Sequence, residues 1–153
     1  MKIETTRFGD IEIKETEIIS FKEGVLGFEN LKEYVIFEME DGAPLMWMQS
    51  ATEPSLAFII IRPFEFNDKY TIDISDGITE ALKLEKSEDA DVFAIVVIPE
   101  DPSNMTANLQ GPIIINNKNK MAKQIISTNS RHKIKHYILE EMQNNRNNEQ
   151  GGK

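Results

Sequence analysis

The heptapeptide PLMWMQS, Pro44 to Ser50, constrains the fold more than any other stretch of the chain. As a strand it puts Leu45, Trp47 and Gln49 on one side and Met46, Met48 and Ser50 on the other, so both faces are largely apolar. Such a strand has to be covered on both sides, by the protein's own core or by a partner. Trp and Met are favoured at the centres of interfaces, while large aromatics are mostly buried, so the segment reads as core strand or as docking strand. The two readings are compatible if one face is inside and one is docked.

The rest of the chain supplies a sheet for this strand to join. Lys2 to Thr5 and Ile11 to Lys14 alternate with period two around Phe8-Gly9-Asp10, which predicts a hairpin, and Ile18 to Phe21 extends it. In GVLGF, residues 24 to 28, two glycines three apart require a backbone bend that a side chain would obstruct. No Lys-Ser/Thr follows, so a phosphate cradle is disfavoured there, and Phe28 to Glu33 reads as one helical turn. Tyr34 to Met39 and PLMWMQS form a hairpin about Asp41-Gly42. Leu56 to Ile61 is a β-branched and aromatic run that stops at Pro63, and Asp68 to Ile74 continues extended.

Ser75 or Asp76 caps a helix reaching Leu84, with Ile78, Ala81 and Leu82 on one face. DVFAIVVI, Asp91 to Ile98, is the most hydrophobic strand and therefore central. Met105 to Leu109, Pro112 to Asn116 and Ala122 to Ser127 follow as strands. Arg131 to Leu139 fits either period and is taken as a strand because a sheet already exists to receive it. The predicted fold class is mainly β: a small antiparallel barrel-like or closed sheet of about ten short strands, with one or two short helices, since closure removes exposed edges. Residues 1–139 form this domain and 140–153 a polar, disordered tail.

At 153 residues without cysteine, the chain can build a core without staples, and thiol chemistry, disulfides and thiolate metal sites are excluded. Its apolar runs are too short for a membrane-spanning helix, and cysteine-free composition fits a cytoplasmic location. The net charge is -9, unevenly spread: residues 1–115 carry 9 Lys and Arg against 23 Asp and Glu, while residues 116–139 carry 6 basic residues and no acidic one. An acidic body repels nucleic acid and attracts basic surfaces, so direct RNA binding would rest on the short basic block alone.

Catalytic constellations are absent from the sequence. His132, His136 and Glu140 are spaced four apart and so share a face, a possible three-ligand zinc site. Arg131, Lys133 and Lys135 surround them and disfavour a cation, which favours surface histidines in a basic strip. Asp68, Asp73, Asp76 and Glu80 lack the alternate spacing of a calcium loop. No nucleophile elbow, Walker loop or dinucleotide fingerprint occurs, so a binding module without cofactor or metal is expected, not an enzyme.

GVLGF at 24–28, PLMWMQS at 44–50, AFIIIRPF at 57–64 and NLQGPIIIN at 108–116, in this order and spacing, resemble the FliW family of bacterial flagellar assembly factors. The resemblance runs from about Met1 to about Leu139. It implies a small barrel-like protein, monomeric when free, that acts by binding: to flagellin in the cytoplasm, and to CsrA, a translational regulator that represses flagellin synthesis. Free protein would hold CsrA off the flagellin messenger, and accumulating flagellin would titrate it away.

For the contact itself, Met46, Trp47 and Met48 are expected as anchors, since flexible thioethers suit a surface with two unrelated partners. At least one of the three should face outward, with Asn108 and Gln110 as hydrogen-bonding neighbours. The alternative is an RNA-binding barrel using Lys118, Lys120, Lys123, Arg131, Lys133 and Lys135, with Tyr137 as stacking platform.

Overall fold

A computed structural model describes residues 1–39, 44–67, 69–129 and 131–139. Asp41-Gly42, Asp68, Glu140 and the expected tail lie outside them. Eleven strands occur among the described residues. In chain order they are β1 (Lys2–Thr5), β2 (Gly9–Glu12), β3 (Ile19–Phe21), β4 (Glu33–Glu38), β5 (Leu45–Ser50) and β6 (Ala57–Ile61), then helix α1 (Asp76–Leu82). β7 (Ala90–Val97), β8 (Thr106–Ala107), β9 (Ile113–Asn116), β10 (Met121–Gln124) and β11 (His136–Tyr137) follow.

The sheet closes on itself. Its neighbours run β7-β6-β5-β4-β3-β10-β9, and β9 pairs back onto β7, giving a ring of seven strands with no free edge. An odd ring cannot alternate strand direction all the way round. The mismatch falls at β3 and β10, which run parallel, with Ser20 opposite Met121 and Phe21 opposite Ala122. The remaining pairs of the ring are antiparallel, as expected from the sequence.

Period-two alternation sorts the side chains into three cores. One face of the ring strands fills the barrel with Phe21, Tyr34, Met48, Ile60, Phe93 and Ile113. The outer face of β6, β7 and β9 carries Ile61, Val92, Ala94 and Ile114, covered by Phe66, Tyr70, Leu82 of α1 and Ile138. The outer face of β4 presents Val35 to Ile3 and Ile13 of the β1–β2 hairpin, which lies outside the ring as a separate two-stranded sheet. The central strand of greatest apolarity, β7, is buried on both faces because a covering layer lies on each side.

Several local expectations change. Ser75 caps α1 through a 3.3 Å hydrogen bond from the Ile78 amide, but the helix ends at Leu82 because Lys83 turns left-handed (φ 55°). Phe28 to Glu33 holds turns in place of a helical segment, and the stretch around Thr71 to Ile74 joins no strand. The strand expected from Arg131 to Leu139 is confined to His136–Tyr137, after which Ile138 and Leu139 are helical. Its partner β8 offers two residues only, Ala107 and Thr106, so the ladder has nothing further to extend along.

Candidate partner-binding surface

The two faces of β5 have different fates. Met46 and Met48 point into the barrel, where Met48 is wholly enclosed (0% exposed) and Met46 packs against the same interior cluster. Met48 has no surface left to offer a partner, and Met46 is turned the same way but only partly enclosed, since the inward register that suits Tyr34 and Ile60 takes both methionines with it. Trp47 faces outward and is half-buried beneath the hairpin. Leu45 and Gln49 share its face, and Gln49 is buried, its Nε2 donating to the carbonyls of Ser50 (3.0 Å) and Pro54 (3.3 Å).

What covers Trp47 comes from the turn between β1 and β2. Phe37, its cross-strand partner on β4, stands beside it. Phe8 sets its ring edge-on to both, at centroid distances of 5.7 Å to Trp47 and 5.5 Å to Phe37. The Arg7 guanidinium lies over the indole, 4.4 Å from the ring centroid. Thr5 fixes this turn: its hydroxyl accepts from the Phe8 amide (2.8 Å) and donates to the Gly9 carbonyl (2.7 Å). A bond from the Thr6 amide to the Pro54 carbonyl (2.9 Å) ties the turn to the chain after β5. Sequence alternation cannot reveal this cluster, because Arg7 and Phe8 sit in a turn outside any period.

Asn108 and Gln110 belong to a large bulge. Between β8 and β9, the five residues from Asn108 to Pro112 lie opposite only two on β7, Ala94 and Ile95. Asn108 shapes it, its Oδ1 accepting from the amides of Gln110 (3.1 Å) and Gly111 (2.9 Å). At Gly111 a Cβ would meet Gln124 Nε2 at 3.0 Å and Asn108 Nδ2 at 3.1 Å, so a larger residue there would crowd both side-chain amides. The Gln110 carbonyl accepts from the Ser127 amide (2.7 Å). Both predicted contact residues are half-buried, and the hydrogen bonds that place Asn108 and Gln110 run within the bulge and to Ile95 and Ser127, not to Trp47.

A connection that the sequence hides runs through Gln124. Its Nε2 donates to the Gly111 carbonyl (3.0 Å), and its Oε1 accepts from the Leu26 amide (2.9 Å), so one side chain joins GVLGF to NLQGP. The GVLGF loop holds Leu26 and Phe28 out at the surface. Gly24, at φ +70°, would place a Cβ 2.6 Å from Glu29 backbone atoms.

His132 is buried, contrary to the expected surface strip. Its ring packs at a tilt against Tyr70, 4.5 Å between centroids, hydrogen-bonds Ser127 through Nδ1, and lines a hollow of about 570 Å³ with Asp73 and Ile126. Desolvation holds its pKa below the usual imidazole value, with Asp73 opposing that shift. The His136 ring packs at a tilt against Phe66, 5.6 Å between centroids. Glu140 lies outside the described residues, and among those residues no group of three or more His, Asp or Glu side chains is placed to hold a metal. The basic block is partly neutralised: Lys123 pairs with Glu23 at 3.0 Å and Lys118 with Asp89 at 3.4 Å, while Tyr137 is exposed.

With this geometry in place, the chain can be set beside known proteins. The family profile described as FliW protein matches residues 2–138. The chain belongs to the FliW family. A flagellar assembly factor FliW of Alkaliphilus metalliredigens is 42% identical over 144 residues, covering 94% of this chain and 89% of that protein. The Leptospira biflexa protein of the same description is 43% identical over 142 residues, covering 92% and 93%. A crystal structure of the flagellar assembly factor FliW aligns with a TM-score of 0.85 at 37% identity, covering 91% of this chain and 97% of that one. The FliW match takes in the β1–β2 hairpin as well as the ring, so Arg7, Phe8 and Trp47 all lie within it. Among the described residues no helix is long and apolar enough to cross a membrane.

Proposed function

We propose that this chain is a flagellar assembly factor that works by contact in the cytoplasm, without catalysis. Free and monomeric, it binds CsrA and keeps it from repressing the flagellin messenger, and cytoplasmic flagellin titrates it away. The observation that supports this reading is the charge of the outer surface. Among the described residues, ion pairs engage Asp10, Glu12, Glu23, Asp89 and Asp91, whereas Glu4, Glu33, Glu38, Glu65, Glu80 and Glu85 are exposed without a cationic partner. Six uncompensated carboxylates docked beside an RNA-binding surface attract its basic residues and repel phosphate, an effect that salt screens. Antagonism then needs no occupation of the RNA site itself.

The test has two arms. Replacing Glu4, Glu33, Glu38 and Glu65 together by Gln should weaken inhibition of RNA binding by CsrA at low salt, and flagellin titrated into a preformed complex should release CsrA. Unchanged inhibition in the first arm, or no release in the second, overturns the reading. Labelled RNA added to this chain alone, titrated against salt, should show no binding; saturable binding would favour the basic block from Lys118 to Lys135 as an RNA surface.

A further inference from the structure

We infer that the Trp47 cluster is a receptor for an arginine side chain of a basic partner surface, and that Arg7 occupies it in the free protein. Three rings meet on the outer face of the barrel, Trp47, Phe37 and Phe8, and a guanidinium already lies over the indole at 4.4 Å. The planar, weakly hydrated guanidinium is the cation that stacks best on an aromatic face. Its position is not the by-product of an ion pair. Arg7 engages no carboxylate among the described residues, whereas Arg62, the other arginine over a ring, is also held by Asp91 at 3.5 Å.

Arg7 is also a replaceable occupant. It is solvent-exposed at the tip of a hairpin that stands outside the ring. The turn keeps its shape through Thr5 and the Thr6–Pro54 bond, neither of which involves the Arg7 side chain. The guanidinium can therefore swing into water while Phe8 remains in place. Glu4, exposed on β1 of the same hairpin, carries no ion-pair partner among the described residues and favours a cationic visitor. The occupant is thus an arginine flanked by further basic residues.

The identity of the natural partner rests on the reading of the preceding subsection, but the receptor can be tested without it. The probe is an acetylated, amidated tetra-arginine peptide, followed by calorimetry and by Trp47 emission at low salt. Since self-occupancy competes with the visitor, Arg7→Gln should tighten binding about two- to fivefold, the factor set by an exposed cation–π contact. Lys2→Gln removes the same charge from the same hairpin away from the rings and should change affinity little. Tetra-lysine should bind more weakly than tetra-arginine, and Trp47→Leu in the Arg7→Gln background should abolish the gain.

Equal affinity of wild type and Arg7→Gln for the peptide, or an equal gain from Lys2→Gln, overturns the receptor whatever CsrA does. A gain for the peptide together with a parallel gain for CsrA upholds both readings. A gain for the peptide with none for CsrA upholds the receptor and counts against CsrA as its occupant.

Discussion

Tyr70 closes the NLQGP bulge from below: its hydroxyl donates a 2.8 Å hydrogen bond to the Leu109 carbonyl, and both residues are almost without exposure. Removing the hydroxyl leaves a buried acceptor unpaired. Tyr70→Phe should lower unfolding free energy by about 1–3 kcal/mol in urea titrations.

The same burial sets a behaviour in alkali. Desolvation pushes Tyr70 and Tyr34 from 10.0 up to about 12. A raised folded pKa means the native state holds its proton longer than the unfolded chain, so this stabilisation is complete below pH about 10 and is lost as pH rises towards about 12. The urea midpoint should fall across that window, and less steeply in Tyr70→Phe. An equal slope in the two proteins would contradict the assignment.

His132 acts in the opposite sense at mild acidity. Its folded pKa is lowered, chiefly by desolvation, so the native state takes up its proton later than the unfolded chain does. The contribution is therefore present above the ordinary imidazole value of about 6.5 and is lost as pH falls through the folded value. Stability measured below pH about 6.5 should drop less in His132→Gln than in wild type.

The two glycines of GVLGF should not be equivalent. Gly27 (φ +88°) has nothing within 4 Å of an added Cβ, so Gly27→Ala meets only the left-handed backbone cost of about 1–2 kcal/mol. Gly24 carries the same backbone cost and a 2.6 Å clash with Glu29 backbone atoms. Gly24→Ala should destabilise clearly more than Gly27→Ala in the same denaturation assay.

Met48→Ala separates core from contact. With the side chain sealed in the barrel, truncation should cost about 2–5 kcal/mol of stability. Where the variant is folded, its affinity for a partner should be unchanged; a native melting temperature with lost binding would place Met48 at an interface instead.

The sequence made strands and barrel legible where the signal is local. Period-two runs located the elements, and Ser75 announced its helix through a short-range capping bond. What stayed hidden depends on contacts between residues distant along the chain. Gln124 looks like any polar strand residue until Leu26 and Gly111 are brought to it. Burial of His132 needs Tyr70 to arrive from a segment far back along the chain. At PLMWMQS the alternation was right and the assignment of faces was not forced by it: composition cannot tell inside from outside when both faces are apolar, and the hairpin that screens Trp47 is encoded forty residues earlier, by rough count, in an unremarkable turn.

The parallel seam between β3 and β10 bears on how the chain leaves the ribosome. Residues 20 and 121 must meet before the ring exists, so without Met121 to Gln124 the sheet has two unpaired margins, β3 and β9. Completion awaits the last strand of the ring, which makes Met121 to Gln124 a latch. A nascent chain stalled before that point offers neighbouring copies the very edges that the finished molecule conceals, and its safest synthesis is therefore one without pauses ahead of the latch.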